Sequence, residues 1–371
     1  MGLLRSFATF SAASGLQMNS SKGAFGSGAL GKGKRIKWDD SVSGFSEGQL
    51  AFKYLGIPIT CGRMLKADCQ VLVEKLIQKI RSFGTKKLSY AGRLVLVNSV
   101  LTAIYSYWIN IFIIPKGVLN RINSICRNYL WDENVDYIRV PMVSWERVCA
   151  PKSEGGLGIR DSYSWNVAAI GKLVWWVYYS PDRLWVTQWI MDPKGYTMGS
   201  GYDMLRQKFQ PVSWHKIIWH QICIPKHKFI CWMIAKRALM LKEKLFSLGI
   251  APDDSCLLCG QDTESYEHLF QACVYSRQVL DELARLCQVL FPRSDLLEWI
   301  EGYQCSQLKK RVLICVVLAV YYHLWLQRNR AQVDGVLLRP AALCAQIMCE
   351  IRLQLATRII LPPDGIDGIV L

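Results

Sequence analysis

Within 18 residues, CLLCGQDTESYEHLFQAC, the chain sets three thiols and one imidazole in the order Cys256-x2-Cys259-x8-His268-x4-Cys273. No other stretch restricts the fold as tightly. A Cys-x2-Cys pair aims both sulfurs at one point when the turn behind it is tight, and Gly260 frees the backbone there. His268 and Cys273 suit a loop that runs into the first turn of a helix. Three sulfurs and one imidazole fill a tetrahedral Zn2+ shell with no open position, so the expected ion is structural. It would hold together a small lobe with little core of its own.

The remaining cysteines do not extend this pattern. The chain has 14 Cys in 371 residues, many inside apolar helical stretches, as at Cys231, Cys315 and Cys344. That usage fits thiols in a reducing compartment, nucleus or cytoplasm, rather than a secreted disulfide framework. His215, His220, His227 and His323 have no cysteine close in sequence and read as surface or core residues. With 51% apolar residues, 14 Trp and 16 Tyr, the chain is not disordered.

The net charge of +16 is unevenly spread. Residues 61–130 carry 11 Lys+Arg against 2 Asp+Glu, and residues 211–250 carry 7 against 1. The stretch 131–210 is balanced, and 251–305 is acidic, with 3 Lys+Arg against 10 Asp+Glu. Two basic blocks attract a polyanion, here RNA or DNA, through the phosphate backbone.

Apolar periodicity makes the chain mainly α with a small β component. Residues 50–60 read as one short strand ending at Pro58. Leu65, Cys69, Leu72, Leu76 and Ile80 share a helical face. A long helix is expected over 89–114, and another after Pro115 with Val118, Ile122, Ile125 and Tyr129 buried and Arg121 and Arg127 off that stripe. An aromatic helix covers 161–179, the stretch 180–212 reads as loop, and helices follow over 213–222, 226–248, 306–331 and 339–359.

Two apolar runs raise the question of a membrane. Residues 94–114 carry no charge, but Asn98, Ser99, Thr102, Ser106 and Asn110 recur along them, the polar stripe of a helix buried on one side. Residues 312–326 are short for a span and contain His323. Both are assigned to cores. The glycine loop GAFGSGALGKGK matches the spacing of two phosphate-binding motifs through Gly26, Gly28, Gly31 and Lys32 but lacks a preceding hydrophobic strand, and reads as a flexible loop.

Longer stretches carry a resemblance. FKYLGIPI, LSYAGRLVLVNSVLTAIYSYW and WERVCAPKSEGGLGIRD followed by Trp165-Asn166 resemble plant non-LTR retrotransposon reverse transcriptases. IPKHKFICWMIAKRALMLKEKL with the Cys/His cluster is similar to the zinc-binding region that ends such polyproteins, and YYHLWLQRNRA resembles a helix after it. The resemblance implies a palm remnant over 1–62, with Lys22 near the nucleotide position and Tyr54, Leu55 and Gly56 as the primer-grip turn. It implies a helical thumb-like bundle over 63–135, a Gly/Trp-rich connector over 136–209, a helical zinc-binding domain over 210–305 and C-terminal helices over 306–371.

In that family both catalytic carboxylate motifs, and the endonuclease, lie upstream of the segment with which this chain begins. Asp39-Asp40 and Asp253-Asp254 imitate the pair but lack its strand setting. The expectation is therefore a fragment of an RNA-directed DNA polymerase without activity of its own, binding RNA and DNA without reading sequence. Lys75, Lys79, Arg81, Lys86, Lys87 and Arg93 are the expected phosphate contacts of the thumb, and Lys226, Lys228, Lys236 and Arg237 those beside the zinc lobe. A second reading is a zinc-dependent protein-interaction module, whose acidic lobe would take a protein partner.

Overall fold

The computed structural model describes residues 63–83, 88–132, 141–179 and 197–358, together with the helical residues Thr9, Ala12 and Ala13 and four short strands. For the strands, for 176–179 and for Arg358 it gives the backbone alone. Lys22, Asp39, Asp40, Leu55, Gly56, Lys86 and Lys87 lie outside the described residues.

The strands form two separate pairs. β1 (Ala24–Gly26) lies parallel to β2 (Ser46–Gly48), so part of the expected glycine loop is a strand. β3 (Phe52–Tyr54) and β4 (Ile57–Ile59) pair antiparallel, with Tyr54 opposite Ile57 and Lys53 opposite Pro58. The expected single strand over 50–60 is thus a tight hairpin. That register leaves two residues between the strands, the loop length of a two-residue hairpin.

Helix α1 (Gln70–Phe83) buries Leu72, Leu76 and Ile80, as the periodicity requires. Leu65 does not join them and is 64% exposed. The chain ahead of the helix is turned instead, with Asp68 Oδ2 accepting the Leu65 N–H at 2.8 Å. The helix expected over 89–114 is interrupted. It consists of α2 (Tyr90–Leu96), a π-helical turn over Val97–Leu101 and α3 (Thr102–Ile109).

Asn166 explains why this run stops early. Its Nδ2 donates to the carbonyls of Ile109 (2.9 Å) and Phe112 (2.7 Å), and its Oδ1 accepts the Ile114 N–H at 3.0 Å. One buried amide satisfies three backbone groups at a helix end, where such groups otherwise go unpaired. Helix α4 (Lys116–Asp132) then buries the expected Val118, Ile122, Ile125 and Tyr129.

The glycine-rich motif after α5 (Trp145–Cys149) is a close approach of backbone to backbone. A Cβ on Gly156 would stand 1.9 Å from the Ala150 carbonyl oxygen, and Gly155 has φ +78°. Trp232 Nε1 donates to the Gly155 carbonyl at 3.0 Å, tying this turn to a helix 77 positions later. Helix α6 (Ser162–Tyr179) follows. The stretch expected as loop over 180–212 contains α7 (Met198–Leu205), capped by Thr197 and Ser200 in a reciprocal box. Arg206, just past it, makes two 2.7 Å bonds to the Glu154 carboxylate.

Helix α8 (His215–Ile218) falls within the helix expected over 213–222, and α9 (Pro225–Ala235) and α10 (Lys242–Ser247) replace the long helix expected to run from 226 to 248. The break is at Arg237, which adopts φ +50°, while the Ala238 N–H bonds back to the Met233 carbonyl at 2.9 Å. This left-handed cap uses an arginine where glycine is usual. Helices α11 (Val274–Cys287), α12 (Leu296–Gly302), α13 (Gln307–Asp334) and α14 (Pro340–Arg358) complete the described residues.

One connected core runs from Met64 to Leu355. Its middle is aromatic: Tyr90 of α2 stacks on Phe229 of α9 at 5.3 Å, and Trp131 of α4 stacks on Trp232 at 6.4 Å. Helix α13 is the spine of the second half, packing against α9, α11, α12 and α14. It is long and apolar enough to cross a membrane by length and composition, with 78% of its most apolar window buried within the fold. All 13 described cysteines are free.

Candidate metal centre

The loop carrying the first two thiols is closed by backbone bonds. Cys256 N–H donates to the Asp262 carbonyl and Gly260 N–H to the Cys256 carbonyl, both at 2.7 Å. Ser255 and Thr263 bridge antiparallel behind them. Gly260 has φ +70°, the left-handed conformation that a tight knuckle needs and glycine adopts without strain. His268 opens a π-helical turn (His268–Ala272), and Cys273 sits at the N-terminal cap of α11.

Ligand atoms of Cys256, Cys259, His268 and Cys273 lie within 4.8 Å of one another. Cys259 Sγ is 3.2 Å from His268 Nε2, and Cys256 Sγ is 3.9 Å from Cys273 Sγ. A tetrahedral Zn2+ with ordinary bond lengths separates two sulfurs by about 3.8 Å and sulfur from nitrogen by about 3.6 Å. The four donors therefore fit the ion with small adjustments.

The imidazole is presented in the right sense. Nε2 faces the sulfurs, while Asp262 Oδ2 stands 3.5 Å from Nδ1 on the other side. A carboxylate there fixes the ring and keeps the proton off the ligating nitrogen. Cys273 is held well below the usual thiol range, first by the hydrogen bond from Cys256, then by the N–H groups of Tyr275 and Ser276. Donating that bond pushes the Cys256 thiol up, and burial adds to the rise. The Cys256 thiol hydrogen faces the Cys273 sulfur at a helix N-terminus, and a metal ion would displace it.

A buried carboxylate anchors the loop to the rest of the protein. Glu264 is fully buried and accepts from Lys242 N–H (2.9 Å), Leu257 N–H (3.3 Å), Arg328 Nε (2.9 Å) and Arg328 Nη2 (2.8 Å). Arg328, itself 3% exposed, lies in α13. Sequence reasoning named neither residue as part of the centre, because they are 64 positions apart and each alone is one more charge on a polar stretch. The arginine does sit in the LWLQRNR run that carries the resemblance.

The expected phosphate contacts divide into three groups. Lys75 and Lys79 are exposed on the outer side of α1, one helical turn apart, and Arg81 is exposed at its end. Arg93 is not available to a phosphate. It is 6% exposed, lies over the Tyr90 ring at 4.3 Å and donates to the Tyr129 carbonyl at 3.4 Å. Beside the zinc lobe, Lys226 pairs with Glu350 at 2.6 Å, Arg237 pairs with Glu267 at 2.5 Å, and Lys236 lies over the Trp214 ring at 5.5 Å. Lys228 is half-buried. The second basic block is thus largely engaged within the protein.

Of the two acidic pairs, the described one is also engaged. Asp253 accepts from the Lys242 ammonium and from Ser255, which hold its carboxyl down at about 2. Asp254 accepts from the Thr263 hydroxyl at 3.0 Å.

Residues 196–279 match the family described as zinc-binding in reverse transcriptase. A stretch of 168 residues is 30% identical to a protein of Arabidopsis thaliana named "Putative ribonuclease H protein". That match covers 45% of this chain and 26% of the Arabidopsis protein, so the chain spans about a quarter of that relative's length.

Proposed function

From a chain that carries the zinc-binding domain of retroelement reverse transcriptases, we propose a protein that grips RNA and DNA by their backbones and performs no polymerisation itself. The observation that carries the reading is the outer face of α1. Leu72, Leu76 and Ile80 turn inward, leaving Lys75 and Lys79 exposed on a helix within the stretch that holds 11 Lys+Arg against 2 Asp+Glu. Amines at this spacing suit successive phosphates and read no base. Zn2+ at Cys256, Cys259, His268 and Cys273 has a structural role, since four protein donors leave it no position for substrate.

Replacing Lys75 and Lys79 together by Ala is expected to weaken binding about equally for unrelated single-stranded and duplex sequences. The dependence of log affinity on log salt should flatten by about 2, close to one phosphate contact per lysine. Anisotropy titrations at several salt concentrations measure both. An unchanged slope, or partners that stay bound after nuclease treatment, would favour a protein-interaction module instead.

The absence of polymerase chemistry is supported by the engagement of Asp253 and Asp254 with Lys242, Ser255 and Thr263. Phosphoryl transfer by two metal ions needs carboxylates that converge on open metal positions. Primer extension on a primed template with Mg2+ is expected to give no product above background. Extension abolished by Asp39→Asn would overturn this part of the reading.

A further inference from the structure

On the opposite side of α13 from Arg328, three helices bring a second set of donors together. His227 of α9 and His323 of α13 are 2% and 1% exposed, and Glu350 of α14 reaches between them. His323 Nε2 lies 2.8 Å from Glu350 Oε2, and His227 Nε2 stands 3.3 Å from the same oxygen. The second contact is no hydrogen bond, and His227 Nε2 is a buried polar atom with no hydrogen-bond partner. One donor atom from each of the three residues lies within 4.8 Å of the others.

The geometry points to a second divalent-metal site, in which His227, His323 and Glu350 bind Zn2+ and brace α9, α13 and α14 against one another. Two imidazole nitrogens and a carboxylate oxygen form a set that zinc accepts, with donors about 3.4 Å apart in a tetrahedral arrangement. Burial lowers the proton affinity of both imidazoles. The Lys226 ammonium, 2.6 Å from Glu350 Oε1, favours the carboxylate form that a metal ion needs. The ion has a way in, because the Glu350 side chain is 24% exposed and that of Lys226 38%.

Two features rank this site below the Cys3His centre. Lys226 Nζ holds the other carboxylate oxygen, Glu350 Oε1, at 2.6 Å, and its charge opposes the ion. His323 Nδ1 has no partner, so its proton lacks the acceptor that usually supports a ligating histidine. The second site therefore fills after the first.

Co2+ titration of the full-length reduced protein, with the thiolate charge-transfer band and metal per chain both measured, tests this. Two equivalents are expected: the first with the thiolate band, the second with ligand-field bands alone. Glu350→Gln and His323→Gln should each remove the second equivalent and leave the first spectrum intact. Lys226→Met should tighten the second by about tenfold, since it deletes the competing charge. Glu350 is half-buried and Gln matches its shape, so that variant decides the matter if His323→Gln fails to fold. A single equivalent in the unaltered protein would overturn the site, as would a second equivalent that survives Glu350→Gln.

Discussion

Full-length protein in which Cys273 is replaced by Ser is expected to lose its first metal and to fall in stability by about 5 kcal/mol at micromolar free zinc. The magnitude follows from apparent binding free energies of about 10–16 kcal/mol for structural zinc sites, converted by mass action at that concentration. Cys273 is both ligand and N-terminal cap of α11, so the loss reaches the helix as well as the loop. Chelation of the unaltered protein under reducing conditions should reproduce the effect, and added Zn2+ should reverse it. Denaturant unfolding with metal analysis on the same samples checks this. A folded, reduced sample with far less than one metal per chain would remove the centre.

The second large effect concerns the buried pair behind that loop. Arg328→Met leaves the Glu264 carboxylate uncompensated in the interior and should destabilise by about 3–5 kcal/mol. Adding Glu264→Gln should restore much of this. The neutral amide keeps an oxygen for the Lys242 N–H, which Glu264 Oε1 now accepts at 2.9 Å, and gives up only the longer bond from the Leu257 N–H to Oε2 at 3.3 Å. A Glu264→Leu partner should restore less, because both N–H groups would then be orphaned. Equal recovery by Gln and Leu would show that the backbone bonds contribute little. A loss below about 1 kcal/mol for Arg328→Met would show that the pair reaches water.

What could be read from the sequence was what the chain states locally. The four thiol and imidazole ligands lie within 18 residues, and the structure brings all four together. The buried stripe of α4 follows from spacing alone. Partners distant in sequence left no such trace. Asn166 caps a helix end more than 50 positions away, and Glu350 meets His323 across 27 positions and His227 from another helix. His227 and His323 read from the sequence as surface or core residues, not as a pair sharing a carboxylate.

Other differences have local causes that composition conceals. Residues 236–241, KRALML, contain no glycine or proline, yet the helix breaks there because Arg237 takes the left-handed cap. Arg93 looked like a surface cation because arginine usually is one. Its guanidinium instead covers an aromatic ring and meets a carbonyl in the core, a use to which a planar, weakly hydrated cation is suited.

The span that matches the reverse-transcriptase family stops at residue 279, in the middle of α11 (Val274–Cys287). Beyond that point Val279 still receives the Cys344 thiol from α14 on its carbonyl, Phe270 meets Tyr321 of α13 edge-on at 5.4 Å, and Glu264 needs Arg328. A recombination event that moved only the matched cassette would sever a helix and strip three contacts from its interior. The unit that packs together is therefore longer than the stretch by which it is recognised, and grafting experiments should take their cut sites beyond α14.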